Sequence, residues 1–307
     1  MNIFNENFIG KSLNQIIGQV NDEGVCFIKK SVNPEFISKL NNLVEKKRFH
    51  INNNWITGVY YNHQYYLNHL LAVSKDTYEL ITNKKIIDLF DTFFDKSYRL
   101  KALRYYETGR SHKMSWHTDN KNIYGSKKTN GLIIIIYLSE VDDGEFQYIK
   151  YSHKHTVDKE FNDYSNEYIN TNYRDQILSF KGSPGDLIIY NVNGIHRAKP
   201  VLDKKFLRKS LFFQIDENFE TAEPILINPS FVSNRDKKYL DFLGFGMMNT
   251  SNIYPQTDIG KLPLKHLVNL SLIKNIIKKS IFNIYTIMPK FVKNIVKIGL
   301  KKNAKDK

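Results

Sequence analysis

The sequence has almost no cysteine. Cys26 is the one cysteine among 307 residues, so an intrachain disulfide is excluded and nothing points to an oxidising compartment. We interpret it as a core residue of the apolar segment GVCFI. The sequence also lacks the run of roughly 18 apolar residues that a membrane span requires. Its first 30 residues contain three acids and no signal-type cleavage site, so we expect no secretory signal. The protein is expected in the cytoplasm, soluble or peripheral at a membrane surface.

Acidic residues are nearly absent from the C-terminal part of the chain. Between Lys261 and Lys307, twelve lysines stand against one acid, Asp306, so this tail carries +11 of the net charge of +14. Residues 1–260 carry only +3. A nearly neutral body argues against nucleic acid as the partner, because nucleic-acid binding domains concentrate basic charge on their folded surface. The hydrophobic share of 41% is enough for a sizeable core.

Periodicity predicts a mainly β protein with flanking helices. Residues 33–48 and 84–94 place apolar side chains at helical spacing. Between Tyr98 and Asp216 the pattern changes to short runs rich in Ile, Val, Tyr and Phe, separated by turn residues, which is typical of consecutive strands. The predicted strands are 98–107, 113–118, 131–139, 145–151, 175–180, 186–191, 196–201 and 207–215. Eight such strands favour a cupin-like jelly roll, or double-stranded β-helix.

The same pattern divides the chain into four regions. Residues 1–97 are predicted to form an N-terminal strand with supporting helices, 98–217 the jelly-roll core, 218–260 an extension of the core, and 261–307 a basic helical tail. Within the core, the polar stretch 156–174 shows little periodicity. We interpret it as an irregular loop that acts as a lid, because long loops in compact domains are more often functional than filler.

Two histidines and one aspartate form the most informative pattern. His117 and Asp119 are two residues apart on a predicted strand and therefore face the same side, while Thr118 faces the other. His196 follows the strand DLIIY and the turn NVNG. Two imidazoles and a carboxylate can occupy one face of an Fe(II) octahedron and leave three positions open. The HxD tripeptide alone occurs by chance in many proteins, so the metal interpretation rests on its surroundings.

A candidate anion anchor follows on the last predicted strand. Arg208 and Ser210 lie on one face of that strand and Lys209 on the other. A guanidinium and a hydroxyl side by side can hold one carboxylate in a buried pocket. The apolar residues LFFQI that follow indicate a buried strand and disfavour a surface arginine.

Five segments resemble the Fe(II)/2-oxoglutarate dioxygenase superfamily, in particular its prolyl-4-hydroxylase-like and phytanoyl-CoA-hydroxylase-like branches. LRYYETGRSHKMSWHTD is similar to the first-ligand segment, and GDLIIYNVNGIHRAKPV followed by LRKSLFFQI is similar to the second-histidine and Arg-x-Ser segments. The segment IIIIYLSEVDDGEFQYIKYSHK is similar to the central strands of these enzymes, and the match runs from about residue 98 to 216. QVNDEGVCFIKKSVNPEFISKL resembles the N-terminal strand and helix of these enzymes.

The resemblance implies a set of roles. His117, Asp119 and His196 would be the catalytic metal ligands for Fe(II), and Arg208 and Ser210 would hold the distal carboxylate of 2-oxoglutarate. The other positions that the family pattern matches are two tyrosines, of which Tyr137 would share that carboxylate and Tyr106 would line the pocket near the metal. Both tyrosines have packing as their alternative interpretation.

The implied reaction uses O2 and hydroxylates an unidentified organic substrate, with oxidative decarboxylation of 2-oxoglutarate to succinate and CO2. A carboxylate at Asp119 favours hydroxylation, because family members that halogenate have a small residue there. His153 and His155 are expected not to be ligands, and Trp116 is expected to pack beside the metal strand. The substrate would be a small molecule or a lipid- or glycan-linked compound. The alternative function is a non-catalytic jelly-roll binding or scaffold module, associated with a membrane.

The tail 261–307 has two interpretations. Apolar residues from Leu270 to Met288 recur every three or four positions between lysines, and Pro289 interrupts the pattern. Such a helix can lie in an anionic membrane interface as a peripheral contact. It can equally cover the barrel or form a dimer with its lysines in solvent. Nucleic acid is a third and weaker option, because the tail has few aromatic residues for stacking.

Overall fold

Two antiparallel β-sheets form the centre of the computed structural model. Their strands are β1 (Val25–Ile28), β2 (Gly58–Tyr61), β3 (Gln64–Asn68), β4 (Arg99–Gly109), β5 (Gly131–Tyr137), β6 (Val141–Ile149), β7 (Ile177–Gly182), β8 (Leu187–Asn191), β9 (His196–Ala198) and β10 (Leu207–Asp216). The larger sheet has the order β1-β8-β5-β10-β4-β3-β2, and the smaller one β7-β6-β9. The expected mainly β jelly roll with flanking helices is confirmed.

The structure describes eleven stretches of the chain. They are residues 2–47, 58–61, 64–109, 112, 114–119, 129–155, 164–203, 206–217, 222–234, 236–249 and 270–294. The chain forms two compact units, Met1–Lys261 and Leu262–Lys307. Both sheets belong to the first unit.

Helices flank the sheets. Those in the described stretches are α1 (Glu6–Ile9), α2 (Leu13–Glu23), α3 (Pro34–Lys47), α4 (Lys75–Ile81), α5 (Lys84–Phe93), α6 (Asn166–Tyr173), α7 (Lys237–Leu243) and α8 (Leu270–Ile287). Helix α5 begins where the sequence predicts, because Asn83 accepts a hydrogen bond from the Lys85 amide at 3.0 Å. Its buried residues include Ile86, Ile87 and Phe90. None of the described helices has the length and apolar content needed to cross a membrane.

The core lies between the two sheets. Apolar side chains of β5 and β8 in the larger sheet and of β6 in the smaller sheet form one buried cluster, which includes Ile133, Ile135, Phe146, Tyr148 and Ile188. Strand β1 extends the larger sheet by pairing with β8. Cys26 on β1 is fully buried, and burial raises the pKa of its thiol to about 11.

Two predictions of local structure were wrong. The expected strand 113–118 forms isolated bridges instead: Trp116 pairs with Tyr164, and His117 pairs with His196. Because the two partners lie on different segments, no continuous ladder develops. The expected irregular loop 156–174 contains α6, which Ser165 caps by accepting a hydrogen bond from the Tyr168 amide at 3.1 Å. Residues 156–163 of this loop lie outside the described stretches.

Sequence reasoning missed other elements. The hairpin of β2 and β3 joins the larger sheet through β4, and α1, α2 and α4 precede the core. The segment GVYYNHQYYLN carries the signal for the hairpin, because two aromatic runs flank a two-residue turn.

A turn at Gly185 connects the N-terminal segment to the larger sheet. The Gly185 carbonyl accepts hydrogen bonds from the amides of Ser31 and Val32, at 2.8 and 3.0 Å, and its own amide donates to the Tyr137 carbonyl at 2.8 Å. Its φ is +92°, and an added Cβ would lie 2.6 Å from the Val32 carbonyl oxygen. Only glycine fits this position without strain.

We expect Gly185→Ala to lower the free energy of unfolding by about 1–3 kcal/mol from backbone strain alone, with the clash against Val32 adding to this. The control is Gly18→Ala, since Gly18 lies within α2 and an added Cβ there has no neighbour within 4 Å. That change should raise the free energy of unfolding by roughly 0.5–1 kcal/mol. Chemical denaturation measures both. Equal effects of the two substitutions would contradict the role given to the turn.

Candidate active site

Backbone pairing brings the first histidine to the second. The His117 amide donates to the His196 carbonyl at 3.0 Å, and the His196 amide donates to the His117 carbonyl at 2.9 Å. The Asp119 amide donates to the Val192 carbonyl at 3.2 Å. His196 is the first residue of β9, which pairs with β6 in the smaller sheet. The segment 117–119 is therefore fixed against the turn that precedes β9.

The three side chains converge. One ligand atom from each of His117, Asp119 and His196 lies within 4.8 Å of the others. Among the described residues, these three form the group of His, Cys, Asp or Glu side chains that could hold a metal ion, called the metal-type cluster below. The Asp119 carboxylate lies 3.1 Å from His196 Nε2 and 3.8 Å from His117 Nε2. The sequence-predicted triad is thus brought together as one group.

Hydrogen bonds to carbonyl groups set the orientation of both imidazoles. His117 Nδ1 lies 2.9 Å from the Ser115 carbonyl oxygen, and His196 Nδ1 lies 3.0 Å from the Gly194 carbonyl oxygen. A carbonyl can only accept, so each Nδ1 carries a proton, and in the neutral form of either ring the lone pair is on Nε2. That tautomer presents Nε2 to the side of Asp119, as a metal ligand requires.

Electrostatics favours the metal-binding protonation states. Burial, followed by the neighbouring His196, lowers the pKa of His117 to about 4. Burial alone would raise the pKa of Asp119, but His196, His117 and the Tyr190 hydroxyl together hold it below its ordinary value. The Tyr190 hydroxyl donates to Asp119 Oδ2 at 3.0 Å. At neutral pH, His117 is therefore neutral and Asp119 ionised, and neither needs to lose a proton to bind a cation.

Strand register assembles the second part of the site. Ser210 on β10 lies directly opposite Tyr106 on β4 and opposite Tyr137 on β5. Arg208 lies one step further along the same face, opposite Thr108. All four predicted anchor residues therefore occupy neighbouring positions on the inner face of the larger sheet.

Arg208 is buried with an incomplete set of hydrogen bonds. Its side chain donates to the Gly144 carbonyl and, at 3.3 Å, to Thr108 Oγ1. Its Nε has no hydrogen-bond partner among the residues that the structure describes. The residue is only 2% exposed, and the guanidinium carbon lies 5.9 Å from the centre of the Tyr106 ring. A buried guanidinium of this kind favours an anionic partner.

The two tyrosines differ. The Tyr137 hydroxyl donates to the Phe180 carbonyl at 2.8 Å and accepts from the Phe146 amide at 3.2 Å, so it links the two sheets. Its proton is already engaged in this arrangement. Burial raises the pKa of Tyr106, against smaller opposing effects of Arg208 and Ser210, so Tyr106 is a protonated donor at neutral pH.

One cavity of about 290 Å³ joins the two parts. Its walls include all the sequence-predicted site residues except Ser210: His117, Asp119, His196, Arg208, Tyr106 and Tyr137. Apolar side chains such as Ile135, Phe146 and Phe212 fill the space between the polar ones. The metal-type cluster and the guanidinium thus face the same cavity.

Several wall residues were not predicted. Tyr190 contacts Asp119, and Gln64 donates to Thr108 Oγ1 at 2.8 Å. Arg104 lies on the same face of β4 as Tyr106; it forms an ion pair with Glu223 and stacks 5.5 Å from the Phe212 ring centre. The alternation of β4, with residues two apart on one face, was the available signal for Arg104.

The remaining predictions concern residues outside the cluster. His153 Nε2 lies 3.0 Å from the Asn21 carbonyl oxygen, and His155 stacks on Tyr173, so neither belongs to the cluster. Trp116 is 2% exposed and lies beneath the Arg197 guanidinium, 4.3 Å from the ring centre.

Comparison with known proteins gives a family and a fold. The family model described as phytanoyl-CoA dioxygenase (PhyH) matches residues 20–210. Similar solved structures include HygX from Streptomyces hygroscopicus, with nickel, 2-oxoglutarate and hygromycin B bound. HygX has a TM-score of 0.54 and 14% identity, over 69% of this chain and 90% of that one. A comparison with curated proteins found no match.

Two further structures come from nogalamycin biosynthesis. The α-ketoglutarate-dependent carbocyclase SnoK has a TM-score of 0.53 and 10% identity, over 74% of this chain and 92% of that one. The epimerase SnoN, in complex with Fe³⁺ and α-ketoglutarate, has a TM-score of 0.52 and 13% identity, over 80% and 96%. At these identities the structures establish a shared fold. The family model spans well over half of the sequence, and the chain belongs to the phytanoyl-CoA dioxygenase (PhyH) family.

Proposed function

We propose that the protein is an Fe(II)- and 2-oxoglutarate-dependent oxygenase that hydroxylates a small organic molecule. The observation that carries this proposal is the convergence of His117, Asp119 and His196 in the cavity that also holds the buried Arg208 guanidinium. Membership of the PhyH family supports the same conclusion.

The donor set fits iron. Two imidazole nitrogens and one carboxylate are the ligands of the facial triad that non-haem Fe(II) oxygenases use. Both imidazoles already have Nδ1 bonded to a carbonyl group, at Ser115 and Gly194. Their orientation therefore costs little when a metal binds. The cluster contains no thiolate, which would favour softer metals.

The opposite end of the cavity fits the distal carboxylate of 2-oxoglutarate. Arg208 supplies a buried positive charge with an unpartnered Nε among the described residues. Tyr106 supplies a protonated hydroxyl close to this guanidinium. Ser210, between Tyr106 and Tyr137 in the sheet, would hold the same carboxylate together with Arg208. Tyr137 would contribute to the same pocket, mainly through its ring, because its hydroxyl bridges the two sheets.

The protein's part in the reaction is to bind, orient and exclude water. Iron and 2-oxoglutarate, when bound, supply the oxidising chemistry by coupling decarboxylation of the co-substrate to the use of O2. The Tyr190 hydroxyl orients the Asp119 carboxylate toward the two imidazoles. The carbonyl groups of Ser115 and Gly194 keep the imidazoles in place. The apolar walls of the cavity limit the access of solvent to the reacting atoms.

Asp119 and the polar residues of the cavity wall support a type of reaction and a class of substrate. A carboxylate is present at Asp119, so hydroxylation is favoured over halogenation. Arg104, paired with Glu223, and Gln214 give the cavity a further polar wall away from Arg208. Such a wall suits a polar small molecule, which agrees with the hygromycin B bound to the similar HygX structure.

The alternative is a non-catalytic binding or scaffold module that keeps the jelly roll. The complete ligand cluster and the buried Arg208 in one cavity argue against it. Anaerobic titration with Fe(II) and 2-oxoglutarate separates the two functions, because a chelated complex gives a weak visible charge-transfer band. Absence of this band would favour the module.

We expect Asp119→Ala to abolish succinate formation from 2-oxoglutarate, because the metal loses its anionic ligand. His155→Ala is the control, since this histidine stacks on Tyr173 outside the cluster and should keep the activity. Succinate release in the presence of Fe(II) and O2 is the measurement. Substantial turnover by the Asp119→Ala protein would contradict its assignment as a ligand.

We expect Tyr190→Phe to weaken Fe(II) binding by about 10–100-fold, the usual effect of removing a hydrogen bond to a metal ligand. The aromatic packing is retained, so the fold should be unaffected. Calorimetric titration with Fe(II), in the absence of O2, measures the affinity. An unchanged affinity would mean that the hydroxyl does not position Asp119.

We expect Arg208→Lys to raise the concentration of 2-oxoglutarate needed for half-maximal development of the charge-transfer band by at least about tenfold, because lysine loses the fork geometry. Metal affinity in the absence of 2-oxoglutarate should not change. The matched control is Lys209→Gln, on the opposite face of β10. If both variants bind 2-oxoglutarate equally well, the carboxylate anchor lies elsewhere.

A further inference from the structure

The helix α8 combines a broad apolar face with lysines. Ile277, Ile281 and Ile284 recur at intervals of three or four residues, which places them on one side of the helix. Many large apolar side chains of α8 and of the residues after it are between 48% and 82% exposed. They are Ile276, Ile277, Ile281, Phe282, Ile284, Ile287 and Phe291. A soluble surface rarely exposes so many large apolar residues within one helix.

The charge of the C-terminal tail, residues 261–307, favours an anionic partner. No acid occurs between Lys261 and Lys305, and the tail as a whole carries +11. Lys278 borders the apolar face, and Lys279 lies opposite it. A second copy of the tail would bring together two surfaces of the same high charge. An anionic surface offers both an apolar interior for the isoleucines and negative charge for the lysines.

We propose that α8 and the residues up to Lys293 bind the surface of an anionic lipid bilayer, with the helix lying in the interface. The isoleucines would enter the boundary between headgroups and acyl chains, and the lysines would contact the headgroups. Nucleic acid lacks an apolar phase to receive the exposed isoleucine side chains. This attachment is independent of the iron chemistry.

The test uses the full-length protein and sedimentation with large unilamellar vesicles. The vesicles contain phosphatidylcholine alone or phosphatidylcholine with phosphatidylserine. We expect binding to the phosphatidylserine vesicles, and loss of binding as salt is raised, because exposed charges are screened. Equal binding to both vesicle types, or binding to neither, would overturn the proposal.

Two sets of substitutions separate the charge from the apolar face. Lys274→Gln, Lys278→Gln and Lys279→Gln together should weaken vesicle binding on the order of a hundredfold, since each lysine at an anionic surface contributes roughly fivefold. Ile277→Ser with Ile281→Ser should weaken it at unchanged charge. If either set leaves binding unchanged, the interface orientation is wrong.

The control removes the same charge from the body. Lys75, Lys84 and Lys237 are exposed helix lysines, each paired with an acid four residues later. Substituting all three by Gln should leave vesicle binding unchanged, and an equal loss would mean that net charge alone attracts the protein. Analytical ultracentrifugation without lipid tests the competing partner: a dimer that disappears in the Ile277→Ser, Ile281→Ser protein would overturn the lipid assignment. Formation of the charge-transfer band is measured in the same variants, so a failed iron site and a failed lipid site are distinguished.

Discussion

The antiparallel pairing of His117 with His196 is the contact on which the site depends. Two amide-to-carbonyl hydrogen bonds bring together residues that are far apart in the sequence. The same short turn then supplies the Gly194 carbonyl that orients the second imidazole. Gly194 also leaves room for Tyr148, whose hydroxyl would lie 1.7 Å from an added Cβ. Backbone hydrogen bonds therefore set the positions of the segments that carry the clustered side chains.

The larger sheet positions the part of the site that contains Arg208. Because β10 lies between β4 and β5, each of its inward residues has a neighbour on both sides. Arg208 is consequently placed among strands that are all held by ladders of hydrogen bonds, and it is only 2% exposed. Removing such a charge from water is costly unless an anion compensates it. An anionic ligand beside this residue would offset that cost.

The sequence was most informative where short-range pattern decides the chemistry. The spacing of Arg208 and Ser210 on β10 follows directly from strand alternation. His117 and Asp119 converge as the HxD spacing predicts, although their segment forms isolated bridges and not the expected strand. Tyr190 and Gln64 could not be assigned in this way, because their roles depend on which strands become neighbours. The helix α6 was missed because its few apolar residues, such as Ile169, gain their stability from packing on Trp116, Ile149 and Ile195. A helix stabilised by tertiary contacts of that kind is difficult to predict from its local amino-acid composition.

Cys26 has a practical consequence for studying motion in this protein. Its thiol is fully buried and, with a pKa near 11, stays protonated at neutral pH, so alkylating reagents would find almost no thiolate to attack. A cysteine introduced on the surface would then be the one reactive thiol of the chain. Fluorophores or spin labels can therefore be attached at chosen positions without first removing the native residue, which leaves the core of β1 intact.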